Sequence, residues 1–231
     1  MASQTGLWWT AVARKFLMAV TGLGLFGFVC IHLAGNLLLL AGPEAFNLYS
    51  HRLISTGPFL YVAEILLAAA FLLHIFTGIT VTLGNWRARG VSYSIYRSKR
   101  ETSRMTLSSR TMIWTGLLML VFLVVHLWTF KYGPNIAEGY VTQVRGERVR
   151  DLYRLVVEWF QVPWYSLYYA ASMVFLGFHL RHGFWSAFQS LGLGNRRLTP
   201  LLYGASLVFA LAFGIGFLFI PLWFLVEGKG L

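Results

Sequence analysis

Five stretches of mainly apolar residues, roughly 16–41, 59–85, 111–132, 160–190 and 200–226, constrain this chain more than any other feature. About 20 apolar residues in helical form cross a hydrocarbon core of about 30 Å. Inside lipid every backbone N–H and C=O must be paired within the protein, so runs of this kind become helices rather than loops or open strands. With 57% hydrophobic and 12% charged residues over 231 positions, the chain is too apolar for a water-soluble domain. The expected fold is all-α, a five-transmembrane-helix bundle forming a single integral membrane domain over residues 1–231. The 160–190 stretch carries Arg181 and His182 near its end, so its last turns are expected to leave the hydrocarbon. The first run is longer than the apolar centre of a signal peptide and shows no clean cleavage pattern, so it is expected to be retained.

Charge sets the expected orientation. On the side bearing the N-terminus lie Arg14, Lys15, Arg87, Arg89, Arg97, Lys99, Arg100, Arg104, Arg110, Arg196 and Arg197, offset only by Glu101. On the opposite side the basic residues are interspersed with Glu44, Glu138, Glu147, Asp151, Glu158 and Glu227. The positive-inside rule then makes the N-terminus cytoplasmic and the C-terminus external, in a multi-pass arrangement. A formal net charge of +11 reflects this topology, and no nucleic-acid partner is expected. The basic 86–110 segment suits anionic lipid head groups or an acidic partner subunit. Residues 133–158 are too polar for the bilayer, and 151–159 has the pattern of an amphipathic interfacial helix.

Four histidines, His32, His74, His126 and His179, each sit inside a different apolar stretch. An ionisable side chain at such depth is expensive without a specific task, and neutral imidazole is the commonest metal ligand. From Lys15 and Arg110, His32 and His126 lie about 17 and about 16 residues along their helices, or roughly 25 Å. From Pro58 and Pro163 at the opposite face, His74 and His179 are each about 16 residues in, roughly 24 Å. Depth therefore matches His32 with His126 near the outer surface and His74 with His179 near the cytoplasmic one. One ligand from each of four helices, paired in this way, is what two bis-histidine haems b in a bundle core require. The lone Cys30 rules out a CxxC thiol pair and attachment of a c-type haem.

His182, three residues past His179 and beside Arg181, is expected to contact a haem propionate, solvent or a helix end rather than iron. His51 falls in the outer loop, where proton exchange is the expected role. Gly22, Gly24, Gly27, Gly35, Gly78, Gly116, Gly177 and Gly183 allow close approach of helices or of a flat macrocycle. Trp86, Trp128, Trp159 and Trp164 fall at span ends, as the interfacial aromatic belt requires.

The ordered pattern His32-Leu33-x-x-Asn36-Leu37, Glu44-Ala45-Phe46-Asn47-x-Tyr49, Glu64 before His74, Ser109-Arg110 before His126-Leu127, and His179-Leu180-x-His182-Gly183-x-Trp185-Ser186-Ala187-Phe188-Gln189 resembles the cytochrome b558 family. These are the dihaem membrane subunits of succinate dehydrogenase and quinol:fumarate reductase. The resemblance implies a subunit of the bacterial cytoplasmic (inner) membrane that carries electrons in a respiratory chain. Its partners would be an iron–sulfur subunit, docked on the cytoplasmic face near 86–110 and 190–200, and a flavoprotein that performs the dicarboxylate chemistry. It also implies His32 and His126 as ligands of the distal haem, His74 and His179 as ligands of the proximal haem, and menaquinone as the electron acceptor.

A quinone carbonyl needs donors and proton-exchanging groups in an apolar, membrane-accessible cleft. Glu64, the only carboxylate inside a span, is the leading candidate. His51, Arg52, Tyr49 and Ser55 are also available at the outer end. Arg14, Arg110, Arg181 and His182 are candidates for the propionates of the cytoplasmic haem, and Arg52 and Lys131 for those of the outer one. Two other readings compete: the cytochrome b anchor of another quinone-linked dehydrogenase, such as a hydrogenase or formate dehydrogenase, and a non-redox transporter. A bc-type cytochrome b is disfavoured, because it needs two ligands at roughly four-turn spacing on each of two helices.

Overall fold

The computed structural model describes residues 10–88 and 107–227. Its helices are α1 (Ala11–Leu37), α2 (Pro43–Ile54), α3 (Pro58–Arg87), α4 (Leu107–Arg110), α5 (Met112–His126), α6 (Leu152–Phe160), α7 (Pro163–Ser190) and α8 (Leu198–Glu227). Proline opens α2, α3 and α7 at a position where the missing N–H would have no partner in any case. The α8 start is capped by the Asn195 Oδ1, which accepts from the N–H groups of Arg197 and Leu198 at 2.9 and 2.7 Å. Residues 89–106, most of the basic segment read as a partner or lipid contact, lie outside the described residues.

Among the described residues four helical stretches are long and apolar enough to cross a membrane: Ala11–Ala41, Pro58–Arg87, Met112–Lys131 and Leu198–Glu227. The fifth expected span coincides with α7, which is long enough at 28 residues but interrupts its apolar sequence with Tyr, Ser, His and Arg. Burial explains the difference in composition. Helix α7 buries Tyr165, Ser166, Tyr169, Met173, Leu180 and Trp185, whereas the 30-residue α3 buries only Thr77 and leaves Phe59, Ile65, Leu66 and Leu72 about two-thirds exposed. A water-soluble surface does not present aliphatic area on that scale, so α3 faces lipid and the chain is an integral membrane protein.

The chain divides into two compact units, and α1, α3, α5, α7 and α8 each contribute a segment to both. The first comprises Met1–Gly27, Ile65–Gly116 and Phe178–Ala210. Its buried residues include Thr77, Ser108, Thr115 and Ser206. Thr77, Thr115 and Ser206 return their hydroxyl protons to carbonyls three or four residues back in their own helices, so small polar residues pack without an unsatisfied donor. Phe26, Phe184 and Phe209 pack mutually, with ring centroids 4.8–5.1 Å apart.

The second unit comprises Phe28–Glu64, Leu117–Gly177 and Leu211–Leu231. Its core joins Leu39 and Phe46 to Val156, Val157, Phe160, Tyr165, Tyr169, Ile220 and Phe224. Here the sequence-based expectation needs three corrections. His51 lies on α2 rather than in a loop. The all-α description is interrupted by a two-stranded antiparallel hairpin, β1 (Val141–Val144) and β2 (Glu147–Arg150), with Val141 opposite Arg150. The β-branched Val141, Thr142, Val144 and Val149 favour its strands, and Arg145 and Gly146, both at positive φ (54° and 83°), supply the turn whose twist suits a tight hairpin. Finally, α6 is amphipathic as expected, but Leu155, Val156, Val157 and Phe160 are buried in protein rather than left for the membrane interface. The hydrogen-bonded Glu158 carboxylate holds the Tyr140 phenol above its ordinary range.

Asn47, 1% exposed, ties α2 to α6. Its Nδ2 donates to Asp151 Oδ1 at 2.8 Å and its Oδ1 accepts from the Tyr153 N–H at 2.9 Å, while Asp151 also caps α6 through the Arg154 N–H. Asn47→Leu strands a buried N–H and should destabilise this unit by about 2 kcal/mol, the scale of one lost buried partner. Thermal unfolding in detergent should show a midpoint lowered by several degrees; an unchanged midpoint would remove Asn47 as the link.

Candidate functional site

Within the first unit, His74 from α3 and His179 from α7 face each other with ring centroids 6.3 Å apart and planes at 72°. Within the second, His32 from α1 and His126, the last residue of α5, stand 5.7 Å apart at 88°. A metal bonded to two imidazoles through nitrogen at about 2 Å each would set their centroids roughly 6 Å apart. Both separations are compatible with one shared ion. Among the described residues no three His, Cys, Asp or Glu side chains gather into a metal-binding group, so the donors come in twos. A donor set of two imidazoles would suit a group such as a haem, whose own nitrogens would fill the metal's other positions.

Hydrogen bonds set which ring nitrogen is available. His74 Nδ1 lies 3.2 Å from the Met18 carbonyl, which can only accept, so Nδ1 carries the proton and Nε2 keeps its lone pair. His179 Nδ1 lies 3.1 Å from Thr115 Oγ1, whose own proton goes to the Thr111 or Met112 carbonyl. Again Nδ1 is the donor. His126 Nδ1 meets the Tyr169 hydroxyl at 3.2 Å. Orientation of a ligating imidazole through its second nitrogen is the usual support for a metal site.

Two glycines lie against the first pair. A Cβ at Gly22 would stand 3.0 Å from His74 Cε1, and one at Gly116 would stand 3.4 Å from His179 Cε1. Added carbons at Gly24, Gly27, Gly78 or Gly183 would meet nothing within 4 Å, so those small residues are not explained by helix contact. In the second pair aromatic rings take this role: Phe28 stacks on His32 at 5.2 Å and Phe122 on His126 at 5.5 Å.

Three of the four buried side-chain polar atoms without a partner among the described residues belong to the first unit: Arg14 Nε, Arg181 Nε and His182 Nδ1. Arg14 reaches the Thr80 carbonyl only at 3.5 Å, and Arg181 donates to the Tyr203 hydroxyl at 3.3 Å while lying over that ring. Buried polar atoms of this kind are normally satisfied, so each of the three retains capacity for a further partner. His182 is thus half-buried against Trp185, with ring centroids 5.4 Å apart, and is not solvated at a helix end. Arg110, grouped with these from sequence, is exposed.

The quinone candidates have separate partners. Glu64 is ion-paired with Lys131, both side chains being about one-third exposed, and His51 Nε2 lies 2.8 Å from Glu147 Oε2. An open groove of about 510 Å³ is lined by Leu38, Ala45, Leu48, Tyr49, Arg52, Leu53 and Thr56. Sequence reasoning missed Lys131 as the partner of Glu64, and Thr115 and Tyr169 as partners of the histidines. The available signal was chemical: a tyrosine or threonine within an apolar span needs a partner for its hydroxyl.

No curated protein and no solved structure matches the chain. Residues 2–99 match the family described as the succinate dehydrogenase/fumarate reductase transmembrane subunit. That segment contains His32, His51, Glu64 and His74. Over those residues, which include two of its long apolar helical stretches, the chain is similar to the transmembrane subunits of succinate dehydrogenase and fumarate reductase.

Proposed function

We propose that this chain is the cytochrome b anchor of a succinate:quinone oxidoreductase, passing electrons from an iron–sulfur subunit to menaquinone in the membrane. The whole chain would act as one membrane domain of five spans, with its N-terminus cytoplasmic and its C-terminus outside. The observation that carries this reading is the presence of two imidazole pairs, each at a separation suited to one shared iron. His32 and His126 would hold the distal haem b, and His74 and His179 the proximal one. A haem b ligated by two imidazoles supplies one-electron transfer at an iron with no open position for oxygen chemistry.

The chain's own residues hold and orient. The Met18 carbonyl and the Thr115 hydroxyl fix the His74 and His179 rings with Nε2 available. Arg14, Arg181 and His182 offer their unpaired nitrogens to haem propionates. At the outer end, Glu64 is the group proposed to exchange protons with the quinone, with Lys131 as its counter-ion and His51 as a second proton-exchanging group. The groove containing Tyr49 and Arg52 provides an apolar floor with two polar donors, as a quinone ring requires.

Dicarboxylate chemistry would reside in the flavoprotein and iron–sulfur partners. Visible absorption of the complex purified through this chain tests the reading: two low-spin haems b per copy are expected, with both partner subunits copurifying. A colourless protein would point to a non-redox membrane role, and a haem protein bound to a hydrogenase or formate dehydrogenase would identify a different complex.

A further inference from the structure

Resting on that reading, we propose that Tyr169, backed by Tyr165 and Thr129, is a positioning residue that sets the redox potential of the haem held by His32 and His126. Four polar groups form one buried line: His126 Nδ1 to the Tyr169 hydroxyl at 3.2 Å, Tyr169 to the Tyr165 hydroxyl at 3.1 Å, and Tyr165 to Thr129 Oγ1 at 2.9 Å. Tyr165 and Tyr169 are 1% and 5% exposed, so water does not compete for their hydroxyls.

The backbone places the far end of this line. After His126 the helix widens into a π-turn, Leu127–Lys131, which carries Thr129, itself 5% exposed. The turn exits through Gly133, where a Cβ would overlap the Thr129 carbonyl. Such π-turns frequently mark functional sites, because they re-aim side chains over a short stretch.

Ligation decides the direction of the protons. When His126 Nε2 carries iron, the ring's only N–H is at Nδ1, so it donates to Tyr169. With the single Tyr165 proton on Thr129 Oγ1, the Tyr165 oxygen accepts from Tyr169, and the line runs one way from His126 to Thr129. Each hydroxyl that gives its proton onward is a better acceptor for the one before it. The line therefore draws on the His126 N–H, increases the ring's basicity as a ligand and favours the ferric state. The other ligands have different acceptors: a backbone carbonyl for His74 and a threonine hydroxyl for His179. Only one of the two haems is subject to the tyrosine line.

The test is redox titration of the purified complex, followed in the haem absorption bands. Tyr169→Phe removes the acceptor oxygen and keeps the ring that packs against Phe130 and Phe160. Haem content should remain at two per chain, and one haem should titrate at higher potential. At the poise that half-reduces it in the wild type, its ferrous-to-ferric ratio should rise several-fold. The haem that shifts should be the one lost in His32→Leu. Thr129→Val should move the same haem in the same direction by less, while Thr115→Val should move only the other.

Unchanged potentials in Tyr169→Phe, or a shift confined to the haem lost in His74→Leu, would overturn the proposal while leaving the haem assignment intact. A wild-type complex without haem would overturn both readings.

Discussion

Replacing His126 with leucine should yield a complex holding one haem b in place of two. The same spectrum should result from His32→Leu, because a low-spin iron needs both imidazoles and these two rings stand 5.7 Å apart in one unit. His74→Leu and His179→Leu should each lose the other haem, since those rings form the second pair at 6.3 Å. The four variants should thus fall into two spectral classes, and combining one substitution from each class should remove nearly all haem. Pyridine haemochrome content and the low-spin ferric signal measure this directly. Four variants that retain wild-type haem would sink the ligand assignment, and classes that group His32 with His74 would sink the pairing.

Glu64→Gln should leave both haems in place yet lower quinone-linked turnover about 100-fold, the lower end of what a positioned proton-transfer group contributes. The substitution removes the carboxylate charge at nearly constant volume and leaves Lys131 without its counter-ion. Instability would lower haem content and assembly along with turnover, so unchanged haem content separates a proton-transfer defect from misfolding. Succinate oxidation with an artificial acceptor that draws electrons from the soluble partners should stay near wild type. Quinone turnover equal to wild type would leave Glu64 and Lys131 as a packing pair and move the search to the cytoplasmic end of the chain.

Much of this architecture follows from local physical chemistry. Apolar runs long enough to cross a membrane force helices because lipid offers the backbone no partners, and Pro58 and Pro163 mark where α3 and α7 begin. Helix rise alone matches His32 with His126 and His74 with His179, since depth in a spanning helix is linear in residue number. Tertiary structure decided what sequence spacing cannot encode. Glu64 in α3 meets Lys131, 67 residues further along and at the end of a π-turn, through packing that residue spacing does not express. Asn47 becomes buried only because α6 folds onto α2, turning an apparently interfacial helix into a core element. The burial of Arg14, Arg181 and His182 with unpaired nitrogens, and the line from Thr129 to His126, depend on segments far apart in the chain. Their orientation is fixed by packing and by the requirement that each buried polar atom find a partner.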